Sequence, residues 1–127
     1  MHLEIGDTFT IGITEEKEIY TWGLNESRQC AKKTDSFTTK ISQVKNLSSN
    51  NVKVISAGKE HGIMVDEANH LFVWGNNDEG QLGLGNTRKV NSIVVVDSFK
   101  DSIKSVLAKD NKNLILTDNG KVYEWPS

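Results

Sequence analysis

Three tryptophans recur at a nearly constant spacing along this chain of 127 residues, at positions Trp22, Trp74 and Trp125. The separations are 74 − 22 = 52 and 125 − 74 = 51 residues. A fixed period in this range is typical of solenoids, propellers and other arrays, in which each unit buries its apolar face against the next. The spacing therefore predicts a repeat architecture.

The register of the repeat extends well beyond the tryptophans. A shift of 52 places residues of the same chemistry on each other: Gly6 on Gly58, Asn25 on Asn77, and Gln29 on Gln81. One residue then drops out, so the third copy follows the second at a shift of 51. We therefore interpret the chain as one repeat region, with a first repeat over 1–51, a second over 52–102 and a partial third over 103–127.

The second repeat shows how each unit is expected to fold. Its short apolar runs predict strands at 52–55, 63–65, 71–74 and 92–97, separated by polar or glycine-bounded turns. Four strands in a unit of this length make one propeller blade. The sequence therefore predicts an all-β fold of four-stranded antiparallel blades, forming an incomplete ring of about two and a half blades.

Three motifs in the second repeat occur in a fixed order. They are Ala57-Gly58-x-x-His61 before a hairpin, Phe72-Val-Trp74-Gly75, and Asn77-x-x-Gly80-Gln81-Leu82-Gly83-x-Gly85. In this order and spacing they resemble the repeats of the regulator of chromosome condensation family, which build seven-bladed β-propellers. The resemblance covers the whole chain, as about two and a half divergent repeats.

The first and third copies depart from the family pattern. The first copy has Arg28 and Ala31 where the pattern has glycine, and the third has Lys109 and Lys112 at the glycine and histidine positions. These departures indicate a divergent member, whose loops need not keep any relative's binding function.

Signals of enzymatic chemistry are weak. The glycine-rich segment 80–85 lacks the lysine and the following helix of a phosphate-binding loop, so we interpret it as a β-loop. The adjacent carboxylates at 66–67 and at 78–79 are paired by sequence only, since neighbouring side chains in a strand or turn tend to point apart. The sequence therefore predicts no enzyme, and no cofactor.

Single histidine and cysteine residues favour structural roles. His61 has no second histidine or carboxylate at metal-ligand spacing, so we expect a hydrogen-bonded turn or core residue and no metal site. Cys30 is the only cysteine and aligns with Leu82, which predicts a small buried apolar residue. A lone cysteine also fits a reducing compartment.

Charge and hydropathy limit the partners. The net charge of −2 gives no electrostatic reason to expect nucleic acid or an anionic membrane. No apolar run approaches the length of a membrane span, and the first residues lack the features of a signal peptide. We therefore expect an intracellular protein, without distinguishing cytoplasm, cytoskeleton and nucleus.

An open stack of blades would expose an apolar flank at each end. Three arrangements would cover these flanks: further blades of a longer propeller chain, a ring assembled from several copies, or docking of the chain against a partner. The sequence leaves all three open, and a large assembly is one form that such a partner could take.

The favoured function is a non-catalytic protein-interaction or scaffold module, in which rigid blades hold variable loops against a protein partner. The loops singled out for this role are the charged turn Lys59-Glu60 and the segment after Trp74. We predict partner-binding residues there, namely Lys59, Glu60, Asn76, Asn77, Asp78 and Glu79.

The resemblance implies one alternative, a guanine-nucleotide exchange factor acting on a small GTPase, because the founding member of the family performs exchange on Ran and binds chromatin. Exchange requires a protruding wedge and a multi-loop face. The sequence shows no extended insertion that could serve as the wedge.

Overall fold

The computed structural model describes residues 2–31, 38–44, 51–90, 92–96 and 99–126. Over these ranges the chain forms eleven β-strands in three antiparallel sheets. None of the described residues belongs to a helix of the length and hydropathy needed to cross a bilayer.

We call the three sheets blades 1, 2 and 3. Blade 1 contains β1 (His2–Ile5), β2 (Phe9–Ile13), β3 (Ile19–Leu24) and β4 (Thr38–Gln43). Blade 2 contains β5 (Val52–Ala57), β6 (His61–Asp66), β7 (Leu71–Gly75) and β8 (Val94–Val95). Blade 3 contains β9 (Ile103–Lys109), β10 (Lys112–Thr117) and β11 (Val122–Trp125). Strands that follow each other in sequence are neighbours in each sheet, so the prediction of all-β antiparallel blades is confirmed.

The outer strand of blade 2 is shorter than the sequence predicted. Only Val94 and Val95 pair with β7, opposite Val73 and Phe72, although a strand was expected over 92–97. Ile93 instead packs against the apolar core beside blade 1. An outer strand has a hydrogen-bonding neighbour on one side only, so the ladder there ends easily. Residue 97 of the predicted strand lies outside the described residues.

Two apolar cores lie between the blades. The core between blades 1 and 2 contains side chains from both sheets, including Phe9, Ile11, Ile13 and Ile19 of blade 1 and Ile55, Met64, Phe72 and Trp74 of blade 2. The core between blades 2 and 3 includes Ile63, Val65, Leu71, Val73 and Leu82 with Ile103, Val106, Ala108 and Ile115. Each blade is therefore stabilised mainly by its neighbours, as in other repeat architectures.

Alternation along the strands follows from this arrangement. In β6, Met64 lies in the first core, whereas Ile63 and Val65 lie in the second. Every residue of β6 is buried because blade 2 has a blade on each side, while β10 alternates between exposed and buried residues. Side chains of any strand point alternately to the two faces of its sheet. The number of neighbouring blades then decides whether one face or both faces of the sheet are buried.

Gly62 allows an aromatic ring to lie against the sheet of blade 2. A Cβ atom at this position would lie 2.2 Å from Cζ2 of Trp74, which is 1% exposed. The two residues are directly opposite each other on β6 and β7. The indole therefore occupies the space that any other residue at 62 would need.

We expect Gly62→Ala to lower the free energy of unfolding by about 2–3 kcal/mol, because the added methyl group must displace Trp74 or the backbone. Gly12→Ala is the matched control, since its Cβ would make ordinary contacts of 3.4–3.5 Å. Urea denaturation of both variants measures the difference. Equal stabilities would show that the packing of Trp74 on Gly62 is not a constraint.

Candidate functional site

A hydrogen bond between side chain and backbone crosses each junction between blades. Trp74 Nε1 of blade 2 donates to the backbone oxygen of Gln29 at 2.9 Å. Trp125 Nε1 of blade 3 donates in the same way to Gln81 at 3.1 Å. The repeated tryptophan and glutamine positions therefore connect successive blades, and the loops that contain the glutamines are fixed in place.

The loops that follow β3 and β7 share a pattern of side-chain hydrogen bonds. Asn77 Oδ1 accepts from the backbone nitrogen of Leu82 at 3.1 Å, and Gln81 Oε1 accepts from that of Glu79 at 2.9 Å. The equivalent bonds of the first repeat join Asn25 to Cys30 at 3.0 Å and Gln29 to Ser27 at 2.9 Å. Buried amides therefore define the shape of both loops.

The two non-glycine residues of the first loop keep the backbone conformation of the glycines. Gly80 and Gly83 have φ angles of 78° and 69°, and Arg28 and Ala31 have φ angles of 63° and 58°. Residues with a Cβ atom are strained in this left-handed region. The first repeat therefore departs from the family pattern in sequence while retaining the loop geometry.

We expect Arg28→Gly to raise the free energy of unfolding by about 0.5–1 kcal/mol, because glycine adopts this φ without strain. The change also removes a buried Nε atom that has no hydrogen-bond partner among the described residues. Gly80→Ala is the converse variant and should lower stability by a similar amount through backbone strain. The nearest atoms to an added Cβ would lie at 3.9 Å, so crowding does not contribute. Thermal or urea denaturation distinguishes the two directions, and destabilisation by Arg28→Gly would contradict the strain argument.

Two of the predicted binding residues meet at the junction of blades 1 and 2. Glu60 Oε2 accepts hydrogen bonds from Ser27 Oγ at 3.0 Å and from Asn76 Nδ2 at 3.2 Å. The backbone nitrogen of Asn76 also donates to the backbone oxygen of Glu60 at 2.9 Å. Two other loops therefore hold the carboxylate of Glu60 in place. Ser27 was not among the predicted binding residues, and its alignment with Glu79 indicated only a loop position.

A surface cavity of about 280 Å³ adjoins this carboxylate. Residues of blades 1 and 2 line it together, namely Glu26, Ser27, Gly75, Asn76, Asn77, Asp78, Lys89 and Val90. Glu26, Asp78 and Lys89 are exposed, so charged groups of both signs surround its mouth. We call this cavity, together with Glu60, the junction site.

The other predicted residues surround the junction site in different ways. Asp78 and Glu79 are exposed on the loop after β7, and the side chain of Lys59 is exposed on the turn before β6. The backbone of Lys59 spans the blades, since its nitrogen donates to Asp110 at 2.9 Å and its oxygen accepts from Thr8 Oγ1 at 2.7 Å.

Asn77 lies beneath the junction site with only 2% of its surface exposed. Its Nδ2 donates to the backbone oxygens of Asn86 at 3.1 Å and Arg88 at 3.0 Å. Its Oδ1 also accepts from the backbone nitrogen of Leu82. The side chain of Asn77 therefore holds the part of the loop that contains the exposed residues Asp78 and Glu79.

His61 connects blades 2 and 3. Its Nε2 donates to Oδ1 of Asn113 at 2.9 Å, because an amide oxygen can only accept. The ring packs on Gly58, where a Cβ would lie 2.3 Å from Cε1 of His61. Burial lowers the pKa of His61 below its ordinary value of 6.5, opposed in part by the bonds to Asn113 and to the backbone of Lys112. His61 is thus a hydrogen-bonded core residue, as expected.

The lowered pKa of His61 makes stability depend on pH. Below the unfolded pKa near 6.5 the unfolded chain binds a proton that the folded chain does not, so the free energy of unfolding falls as the pH falls. The contribution of one such group is at most about 1.4 kcal/mol per pH unit. We expect His61→Gln to remove this part of the slope between pH 7.5 and the lower folded pKa, and His2→Gln to retain it. Urea denaturation at several pH values is the measurement, and an unchanged slope in His61→Gln would contradict the assignment.

Of the adjacent carboxylates 66–67, Asp66 is bonded within a turn. Asp66 is buried, and its Oδ1 accepts from the backbone nitrogens of Ala68 at 3.0 Å and His70 at 2.8 Å. Its Oδ2 lies 2.9 Å from Nδ1 of His70. This carboxylate therefore holds the turn between β6 and β7. Within the described ranges, no group of three or more histidine, cysteine, aspartate or glutamate residues is placed to hold a metal ion.

Cys30 is fully buried in the core between blades 1 and 2, which agrees with its predicted role as a small apolar residue. Its Sγ lies 3.3 Å from the backbone oxygen of Leu24. Leu82, at the equivalent position of the second repeat, is buried in the other core.

Antiparallel sheets, two of four strands and one of three, pack face to face through a repeated tryptophan and define the chain as a segment of β-propeller blades. The model of the Regulator of chromosome condensation (RCC1) repeat matches residues 17–65 and 69–106, and a second model of the same description matches 52–81. The chain therefore belongs to the regulator of chromosome condensation (RCC1) repeat family, as the motifs of the second repeat predicted.

Relatives with curated sequences match almost the whole chain. It is 32% identical over 127 residues to the human X-linked retinitis pigmentosa GTPase regulator, covering 98% of this chain and 12% of that protein. It is 28% identical over 141 residues to Protein pim1 of Schizosaccharomyces pombe, covering 96% of this chain and 26% of that protein. The chain thus spans only a small part of the length of these relatives.

The fold also matches a solved structure. Prp20p from Saccharomyces cerevisiae, whose structure was described with its binding properties to Gsp1p and histones, superposes with a TM-score of 0.85. The sequence identity is 21%, and the match covers 98% of this chain and 32% of that chain. At this identity the similarity shows the fold alone.

Proposed function

We propose that this chain is a non-catalytic protein-interaction module, which presents the junction site to a protein partner. The observation that supports this function most directly is the carboxylate of Glu60, held by Ser27 and Asn76 from two other loops. A carboxylate fixed by neighbouring side chains at the surface is suited to recognise a complementary group. Rigid scaffolds with variable loops commonly serve in binding.

Pre-organisation of the loops supports the proposal. Buried Asn77 and Gln81 fix the loop after β7, and the indole of Trp125 holds Gln81 from blade 3. A partner that binds the exposed residues Asp78 and Glu79 would therefore not have to order this loop first. Affinity is gained when such ordering costs are already met in the free protein.

The charges of the junction site indicate the chemistry of the partner. Four acidic residues, Glu26, Glu60, Asp78 and Glu79, lie on or beside it, with Lys59 and Lys89 near the edge. Such a surface favours a basic patch on the partner, because complementary potentials steer encounter and suppress wrong partners. An intracellular protein partner is part of this proposal.

A second candidate is a role in nucleotide exchange on a small GTPase. The name of the human relative, a GTPase regulator, favours it, as does the described binding of Prp20p to Gsp1p. Because the chain spans 12% of the human relative, the activity of that whole protein does not transfer with the repeat. Binding to a small GTPase is compatible with both candidates, and only catalysed nucleotide release separates them.

We expect Glu60→Gln to weaken binding of a protein partner about fivefold to tenfold, since it removes the charge while retaining an oxygen acceptor. Glu16→Gln is the matched control, because Glu16 is exposed on the turn between β2 and β3, on a different loop. Binding of purified histones and a panel of small GTPases to the immobilised chain is measured by biolayer interferometry.

The same proteins separate the two candidates. We expect no acceleration of nucleotide release from any GTPase of the panel, and acceleration would favour exchange over a binding module. Equal losses of binding in Glu60→Gln and Glu16→Gln would show that the junction site is not the contact surface.

A further inference from the structure

In the first repeat, one hydroxyl group links three connecting segments at the junction of blades 1 and 2. Thr8 Oγ1 accepts a hydrogen bond from Nε2 of Gln29 at 3.2 Å and donates to the backbone oxygen of Lys59 at 2.7 Å. Gln29 is fully buried, and Lys59 lies on the turn between β5 and β6 of the next blade. The hydroxyl of Thr8 therefore satisfies a buried amide and also connects the two blades. We call this arrangement the hydroxyl relay.

Glu60 has the equivalent backbone position in the second repeat. It corresponds to Thr8 at the shift of 52. The backbone oxygen of Thr8 accepts from the nitrogen of Leu24 at 2.9 Å. The backbone oxygen of Glu60 accepts from the equivalent nitrogen, that of Asn76, also at 2.9 Å. The side chains of Thr8 and Glu60 therefore begin at equivalent points of the two blades.

The buried amide beside this position is also equivalent. Gln81 Oε1 accepts from the backbone nitrogen of Glu79 at 2.9 Å. Gln29 Oε1 accepts in the same way from that of Ser27 at 2.9 Å. Because the two oxygens are bonded alike, Nε2 of Gln81 points toward the side-chain position of residue 60, as Nε2 of Gln29 does toward residue 8. Gln81 is 1% exposed, yet its Nε2 has no hydrogen-bond partner among the described residues.

The chemistry of the side chain explains why Glu60 does not form the relay. A hydroxyl both donates and accepts, whereas an ionised carboxylate only accepts. By the register, the acceptor at the end of this second relay would be the backbone oxygen of Asp110, which corresponds to Lys59. A carboxylate cannot donate to that oxygen. The carboxylate of Glu60 instead accepts from Ser27 and Asn76 at the junction site, and the relay is not formed.

We propose that Glu60 is the specificity-determining residue of the junction site, and that its carboxylate stands in place of a hydroxyl relay that would make the chain more stable. This inference rests on the function proposed above. A buried amide without an acceptor lowers stability. The same side chain supplies a fixed negative charge for a cationic group of the partner. Functional positions commonly break a local rule of stability in this way.

Glu60→Thr tests the relay, because it gives the second repeat the residue of the first. We expect the melting temperature of the 127-residue chain to rise by about 3–5 °C, as for one net hydrogen bond in a domain of this size. Glu60→Val is the matched control, since valine has the shape of threonine without the hydroxyl, and it should not be stabilised. Thr8→Val removes the relay of the first repeat and should lower the melting temperature by a similar amount. Thermal unfolding followed by circular dichroism is the measurement.

Binding separates recognition from packing. Purified histones serve as the basic probe, and their binding to the immobilised chain is measured by biolayer interferometry. Glu60→Thr and Glu60→Val should both bind histones about fivefold to tenfold more weakly than the wild type, because both lack the carboxylate. Stability and binding then change in opposite directions in Glu60→Thr. A purely structural role of Glu60 would not give this result.

The two measurements fail independently. A Glu60→Thr chain that is no more stable than the wild type, or than Glu60→Val, would overturn the proposal, while a loss of binding in both variants would still support the proposed function. Stabilisation with unchanged binding of histones, or a wild-type chain that does not bind histones, would overturn Glu60 as the specificity-determining residue. These last two results would count against the proposed function as well.

Discussion

The hydrogen bond from an indole nitrogen of one blade to a glutamine carbonyl of the preceding blade is the interaction on which the rest of the structure depends. Trp74 reaches Gln29 because Gly62 leaves room for the indole ring. The loop after β3, which contains Gln29, is held in shape by the buried amide of Asn25. The loops, the aromatic core and the stacking of blades therefore form together. If the indole N–H stayed buried without this acceptor, the free energy of unfolding would fall by about 1–3 kcal/mol.

Packing between blades also explains why equivalent positions of the three repeats differ in burial. A single four-stranded sheet covers neither of its faces, so the stability of each blade comes from its junctions. Blade 2 has two junctions and is buried on both sides, whereas the outer faces of blades 1 and 3 leave Ile5 and Val122 exposed. The buried pair of His61 and Asn113 adds a polar contact to one junction, which fixes the register of blade 3 against blade 2.

The loops after β3 and β7 share a backbone conformation but differ in the side-chain contacts around them. In the first repeat, Thr8 Oγ1 accepts a hydrogen bond from Nε2 of Gln29. Glu60 is the residue equivalent to Thr8 in the second repeat, and its carboxylate accepts from Ser27 and Asn76 instead. Nε2 of Gln81 therefore has no partner among the described residues. The place of Asn77 and Gln81 in the repeat was predictable, because the same residue types recur at a fixed shift in the sequence. The meeting of Glu60 with Ser27 was not, because 33 residues separate them and nothing in a single repeat encodes contacts to its neighbour.

The sequence by itself determined the repeat, the antiparallel blades and most strand positions, because period-two alternation, glycine turns and recurrent tryptophans act locally. Only the tertiary structure decided that β8 has two residues, that Asn77 lies beneath the loop while Asp78 is exposed, and that Arg28 adopts a glycine conformation. These features depend on which blade lies against which face. Contacts between repeats depend on packing across the junctions, and the residue pattern within one strand does not predict them.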